Sequence, residues 1–305
     1  MNIVESNFKN KLTNNEFVIT MEVSPPDEFD LQSFFPKFDF LSKTTIDALN
    51  ITDTARAQGR MSPLAISSLI QNQFDIETIM HIAVRHRNLL SLHSDLMGAH
   101  ALGIKNIFSV MGDKPKKDSP FFNSTFSNLT PNSALKLMDN FNKGISISGE
   151  KLKSSANFYK GAAFNPSTQN LEKEIQNLKL KVESGADFLL TQPFYSTKTL
   201  QNILNIIGEF PIPLIIGVLP LRSIKNAQFL QNHVPGININ SEIMSLMESS
   251  KSPIKTGMEI SSNIVNQLKG KIAGMYYIPP FNNYKSILEF TKRLELPFSF
   301  QQPPL

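Results

Sequence analysis

Eight short runs of β-branched and aromatic residues punctuate the chain, at about 17–24, 46–52, 77–84, 105–111, 158–164, 187–192, 213–219 and 272–278. Between them lie longer stretches whose apolar residues recur at helical spacing, such as "NLLSLHSDLMGAHALG" (88–103) and "NLEKEIQNLKLKVESGAD" (170–187). The second ends with Gly185 at a C-cap position. This alternation predicts repeated β-α units on a parallel sheet. Residues 236–268 hold two helical patterns and no strand, which predicts extra helices inserted before the last strand. Residues 114–131, rich in Pro, Ser, Asn and Lys, are the longest loop candidate.

Eight such units in 305 residues predict an α/β chain folded as one (β/α)8 TIM barrel, a single domain over 1–305 with residues 1–15 as an N-terminal extension. An open doubly wound sheet is the alternative if one strand is miscounted.

Composition narrows the functional classes. At 41% hydrophobic and 18% charged the chain can bury a large core. Its net charge of +4 is spread over scattered lysines, so no clustered nucleic-acid footprint is expected. The absence of cysteine excludes disulfides, thiolate zinc sites and cysteine nucleophiles. No apolar run reaches the roughly 18 residues of a membrane span. The start "MNIVESNFKNKLTNNE" lacks an apolar signal core, so a cytoplasmic protein is expected.

In a barrel of this kind the chemistry sits at the carboxyl ends of the strands. The polar residues there are Glu22; Thr52 and Asp53; His81 and Arg85; Gly112 and Asp113; Asn165; Thr191 and Gln192; Arg222; and Tyr276 and Tyr277. Glu22 shares a strand face with Val18, Thr20 and Ser24. Facing the barrel mouth, it would be desolvated and its pKa raised, as a general acid requires; paired with a lysine or arginine, it would be structural. "MGDKP" (111–115) reads equally as an Asp-stabilised turn, and "TQP" (191–193) offers an amide that both donates and accepts. His81 on its apolar strand could be a satisfied core residue. His86, His93 and His100 recur every seven residues without supporting carboxylates, so no metal site is expected. No dinucleotide-binding G-x-G-x-x-G, Walker A loop or G-x-S-x-G elbow is present.

Taken in order, "MEVSPP", "NITD", "IMHIAVRHRN", "VMGDKP", "GAAFNP", "KVESGADFLLTQPFY" and "IIGVLPLRS" resemble the methylenetetrahydrofolate reductase family. The likeness runs from about residue 15 to 294. "RNLLSLHSDLMGAHALGIKNI" and "LPLRSIKNAQFLQNHVPG" look like the reductase half of fused proteins that also carry a homocysteine methyltransferase domain.

The resemblance implies FAD-dependent reduction of 5,10-methylenetetrahydrofolate to 5-methyltetrahydrofolate, in one-carbon metabolism and methionine biosynthesis, with NADH or NADPH as electron donor. It implies Glu22 as the general acid and Asp113 beside flavin and pterin. Gln192 and Tyr277 would contact substrate, while Thr52, His81, Gly112, Asp113, Asn165, Glu174, Asn177 and Lys181 would line the FAD site. Its partners would be the folate, further copies of the chain in a homo-oligomer, and a separate homocysteine methyltransferase. Met111, Leu180 and Phe281 depart from the family pattern, the last near a position where other members carry an arginine for the folate tail. An accessory flavin-barrel subunit without catalysis is the alternative function.

Overall fold

In a computed structural model, residues 6–122, 128–234 and 236–296 are described. The strands are β1 Val18–Val23, β2 Ala48–Ile51, β3 Glu77–Ala83, β4 Asn106–Val110, β5 Tyr159–Phe164, β6 Phe188–Thr191, β7 Leu214–Val218 and β8 Gly274–Tyr277. Each pairs in parallel with the next, and β8 returns to β1, closing an eight-stranded barrel. The open-sheet alternative is thereby excluded.

The helices are α1 Asn7–Thr13, α2 Pro63–Phe74, α3 Leu89–Ala101, α4 Pro131–Asn142, α5 Leu171–Glu183, α6 Thr197–Ile207, α7 Ile224–His233, α8 Ser241–Ser249, α9 Pro253–Gln267 and α10 Ser286–Thr291. The two helices expected between 236 and 268 are α8 and α9. Gly185 takes a φ of +93° just beyond α5, as expected at its C-terminal cap. Of the expected loop 114–131, residues 123–127 lie outside the described residues. The rest forms turns and extended chain up to the start of α4, where Thr130 and Ser133 make a capping box.

Strands buried on both faces explain why the runs are apolar throughout rather than alternating. One apolar layer lies between strands and helices, and includes Met21, Leu49, Ile82, Ile107, Phe164, Ile216 and Tyr277. The other fills the barrel, where Val18, Ala48, Ile79, Phe108, Tyr159, Phe188, Ile215 and Tyr276 meet Phe8 and Leu12 of α1. The expected N-terminal extension therefore includes a plug at the amino-terminal end. Phe8 packs edge-on against Tyr159 and Phe188, at centroid distances of 6.0 and 5.4 Å. Burying Phe8 and Leu12 contributes roughly 1.5–3 kcal/mol each. With that end closed, the carboxyl ends of the strands are left as the open mouth.

Candidate functional site at the barrel mouth

Strand pairing sets which side chains share the mouth. Glu22 lies level with Asn50 of β2, and Thr20 level with Tyr276 of β8. The Tyr276 hydroxyl donates a hydrogen bond to Glu22 Oε2. Among the ion pairs of the described residues, none includes Glu22, so the alternative of a salt-bridged structural glutamate does not hold. Burial raises the Glu22 pKa above the usual carboxylate range, opposed more weakly by the Tyr276 hydrogen bond and the positive charge of Arg56. Tyr276 is itself buried among apolar neighbours beside a carboxylate, which holds its phenol protonated and able to donate.

The corresponding assignment of Tyr277 needs correction. It is fully buried on the outward face of β8, its ring tilted against Phe290 of α10 at a centroid distance of 5.0 Å, with its hydroxyl 2.8 Å from Ser286 Oγ. A side chain sealed between barrel and helix has no surface for a substrate. Tyr276, one residue earlier, holds the place at the mouth. Strand parity decides between them, because successive side chains leave opposite faces.

On β2 and β3 the interior face carries Asn50, Thr52 and His81. His81 Nε2 lies 3.2 Å from Asn50 Oδ1 and donates to it in the tautomer this contact selects. Burial lowers the His81 pKa to about 3, so the ring is neutral near physiological pH. Asn50 Nδ2 and Thr52 Oγ1 are buried without a hydrogen-bond partner. Two unsatisfied polar atoms on one strand face cost about 1–3 kcal/mol each unless a ligand or water meets them.

Asp53 turns the other way and is structural. Its carboxylate accepts from the Ala83 amide at 2.8 Å and from Arg87, whose Nε reaches Asp95 at 2.8 Å. This ties the end of β2 to the loop after β3.

After β4, Gly112 has a φ of +86°, and a Cβ there would come within 2.7 Å of the Ala83 side chain. A larger residue would be strained twice over. Arg85 Nε donates to the Gly112 carbonyl at 3.0 Å, fixing this turn. The exposed Asp113 carboxylate accepts from the Arg56 amide at 2.6 Å. It thereby pins a segment in which Thr54, Arg56 and Ala57 all have positive φ, an arrangement that stores strain beside the mouth. The Arg56 contact was not legible in the chain, since nothing in "TDTARAQGR" announces left-handed backbone at non-glycine residues.

On β5, Ala163 shares the interior face of Tyr159, yet is exposed between buried neighbours, so the barrel is open at this point. Around it Glu174, Asn177 and Lys181 of α5 come together as their spacing suggested. Lys181 Nζ donates to the Ala163 carbonyl at 2.6 Å and to Glu174 Oε1 at 3.1 Å. Glu174 also accepts from the Asn165 amide at 3.1 Å and from Asn177 Nδ2 at 3.2 Å. Gln192, just past β6, leaves its side chain exposed at the same end.

A flat heterocyclic cofactor fits this arrangement. The open edge at Ala163, the unsatisfied Asn50 and Thr52 atoms and the tight Gly112 turn offer polar contacts above the aromatic pair of Phe108 and neutral His81, whose centroids are 4.7 Å apart.

The fold and site thus define an α/β barrel with a largely desolvated acid and unsatisfied polar groups at its carboxyl-terminal mouth. A family model for methylenetetrahydrofolate reductase matches residues 7–295, and the chain belongs to that family. A probable NADH-dependent methylenetetrahydrofolate reductase of Oryza sativa subsp. japonica is 22% identical over 293 residues, covering 92% of this chain and 48% of the relative. The 5,10-methylenetetrahydrofolate reductase of Buchnera aphidicola subsp. Schizaphis graminum is 22% identical over 255 residues, covering 83% and 82%. The chain spans between about a third and a half of the first curated relatives it matches. Among solved structures, an uncharacterized protein from Clostridium thermocellum that binds two copies of 5-methyl-5,6,7,8-tetrahydrofolic acid superposes with a TM-score of 0.65 at 16% identity, covering 94% of this chain and 96% of that one. A 2,3-dimethylmalate lyase reaches 0.52 at 11% identity. These likenesses concern the fold. Among the described residues no helix is long and apolar enough to cross a membrane.

Proposed function

We propose that this chain catalyses FAD-dependent reduction of 5,10-methylenetetrahydrofolate to 5-methyltetrahydrofolate, with Glu22 as general acid. The observation that carries this reading is the largely desolvated Glu22 carboxyl, held by Tyr276 at the mouth and, among the described residues, in no ion pair. Membership of the reductase family supports it.

The substrate is an aminal, in which one carbon bridges two nitrogens. Glu22 transfers its proton to the departing N10, the carbon–N10 bond breaks, and the remaining carbon becomes an iminium on N5. Reduced flavin, when bound, supplies the hydride that converts that carbon to the methyl group. The two-electron balance is complete, with one proton and one hydride added. Tyr276 then donates to the newly formed Glu22 carboxylate and stabilises it until it is reprotonated. Thr52, Asn50, Gly112, Asp113 and Asn165 would hold the flavin, with Glu174, Asn177 and Lys181 as a braced wall behind it. Gln192, exposed just past β6, would hydrogen-bond the pterin edge. Asp113 serves a second purpose, since its carboxylate locks the segment bearing Arg56. NADH or NADPH is the proposed source of electrons.

The test is an absorption spectrum of the purified protein, followed by anaerobic titration with NADH, NADPH and methylenetetrahydrofolate. A flavin spectrum bleached by one nicotinamide and restored by the folate is expected. A protein that takes up no FAD, or whose reduced flavin is not reoxidised by the folate, overturns the proposal.

A further inference from the structure

Arg222, one of the polar residues at the strand ends, has no part in the chemistry described so far. It follows β7, and β8 separates it from the strand bearing Glu22. Its guanidinium lies over the Phe281 ring, 4.9 Å from the centroid. No carboxylate pairs with it among the described residues. A half-buried arginine braced by an aromatic face, with its N–H edges unclaimed, is arranged to meet an anion.

Phe281 shows an independent sign of construction. It is 77% exposed and has a φ of +54°, a backbone state unfavourable for a bulky residue, in the loop after β8. Keeping a large apolar ring in water on strained backbone is costly unless the ring has work to do there. On the far side, α9 approaches so closely that a Cβ on Gly257 would fall 1.8 Å from the Leu221 carbonyl oxygen. The inserted helix therefore buttresses the loop that carries Arg222. Between them is a cleft of about 60 Å³ lined by Leu221, Arg222, Ile254, Met258, Pro280 and Asn283. A site of that size is too small for a fused ring and suits a carboxylate. Ser223 begins α7, whose positive end lies beside the same arginine.

We propose that Arg222, braced by Phe281 and backed by α9, is the specificity-determining residue that binds the carboxylate tail of the substrate. This rests on the folate reading above. The guanidinium takes the glutamate carboxylate, while the exposed Phe281 ring covers the neighbouring aryl amide.

The experiment is isothermal titration calorimetry of the FAD-loaded full chain with 5-methyltetrahydrofolate, and with an analogue whose glutamate is replaced by an uncharged propylamide. The unaltered protein is expected to prefer the folate on the order of tenfold, the worth of one partly solvated charge-assisted contact. Arg222→Met should bring that ratio to about one while the analogue binds as before. Arg222→Lys should keep part of the preference, and Phe281→Leu should weaken it. A preference undiminished in Arg222→Met overturns the proposal; if that variant does not fold, an undiminished preference in both Arg222→Lys and Phe281→Leu does so. Equal binding of both compounds by the unaltered protein overturns it while leaving the reductase reading intact. Binding of neither overturns the reductase reading and the tail site with it.

Discussion

Replacing Tyr276 by Phe removes one hydrogen bond and little else, because the ring keeps its place in the barrel interior. The hydroxyl donates to Glu22 and favours the carboxylate, so losing it raises the Glu22 pKa further above the ordinary value. A hydrogen bond to a charged group is worth about 1.5–3 kcal/mol, and 1.36 kcal/mol corresponds to one pH unit. Water reaches Glu22 in part, which favours the lower figure. The general acid must be protonated to act, so activity falls as pH rises through its pKa. Tyr276→Phe should therefore move the alkaline limb upward by about one pH unit. The assay is single-turnover folate reduction by the prereduced enzyme across pH, with FAD content and melting temperature as checks on folding. A limb that stays put, or moves down, in a normally folded and flavin-loaded variant would refute the reasoning.

Other substitutions probe the frame. Asp53→Asn leaves Arg87 buried with its stronger partner gone and should cost about 3–5 kcal/mol in urea unfolding; a loss below 1 kcal/mol would show that the pair is not holding the two loops. Gly257→Ala offers about 1 kcal/mol of helix propensity, but its methyl would collide with the Leu221 carbonyl. The melting temperature should fall, and a rise would mean that α9 is free to move away. His81 binds its proton far less readily when folded, with a pKa lowered to about 3 against about 6.5 unfolded. The unfolded chain therefore takes up the extra proton, and stability drops as pH falls from about 6.5 toward 3. His81→Asn should lessen that acid sensitivity in denaturation midpoints taken at several pH values, and an identical pH dependence would exclude His81 as a source.

The frame was legible because buried parallel strands leave an unmistakable mark, namely short β-branched runs separated by helical periods. All eight runs became strands, most ending within a residue or two of the expected bounds. The network of Glu174, Asn177 and Lys181 was legible too, since spacings of three and four place residues on one helix face. Tyr277 shows where such reading fails. In "GMYYIPP" both faces of the strand are apolar, so no alternation tells which tyrosine looks inward; the pairing of Thr20 with Tyr276 settles it. Asp113 shows a second limit. Its contact with the Arg56 amide joins residues 57 positions apart, through backbone that no local propensity favours.

The central claim concerns a single proton, and Glu22→Gln tests it most directly. Glutamine keeps the shape and can still accept the Tyr276 hydrogen bond, but it has no acidic proton to give. With the variant loaded with FAD and reduced anaerobically, the rate at which methylenetetrahydrofolate reoxidises the flavin should fall by orders of magnitude, while flavin binding and reduction by the nicotinamide donor persist. Reoxidation at a rate near that of the unaltered protein would contradict the account.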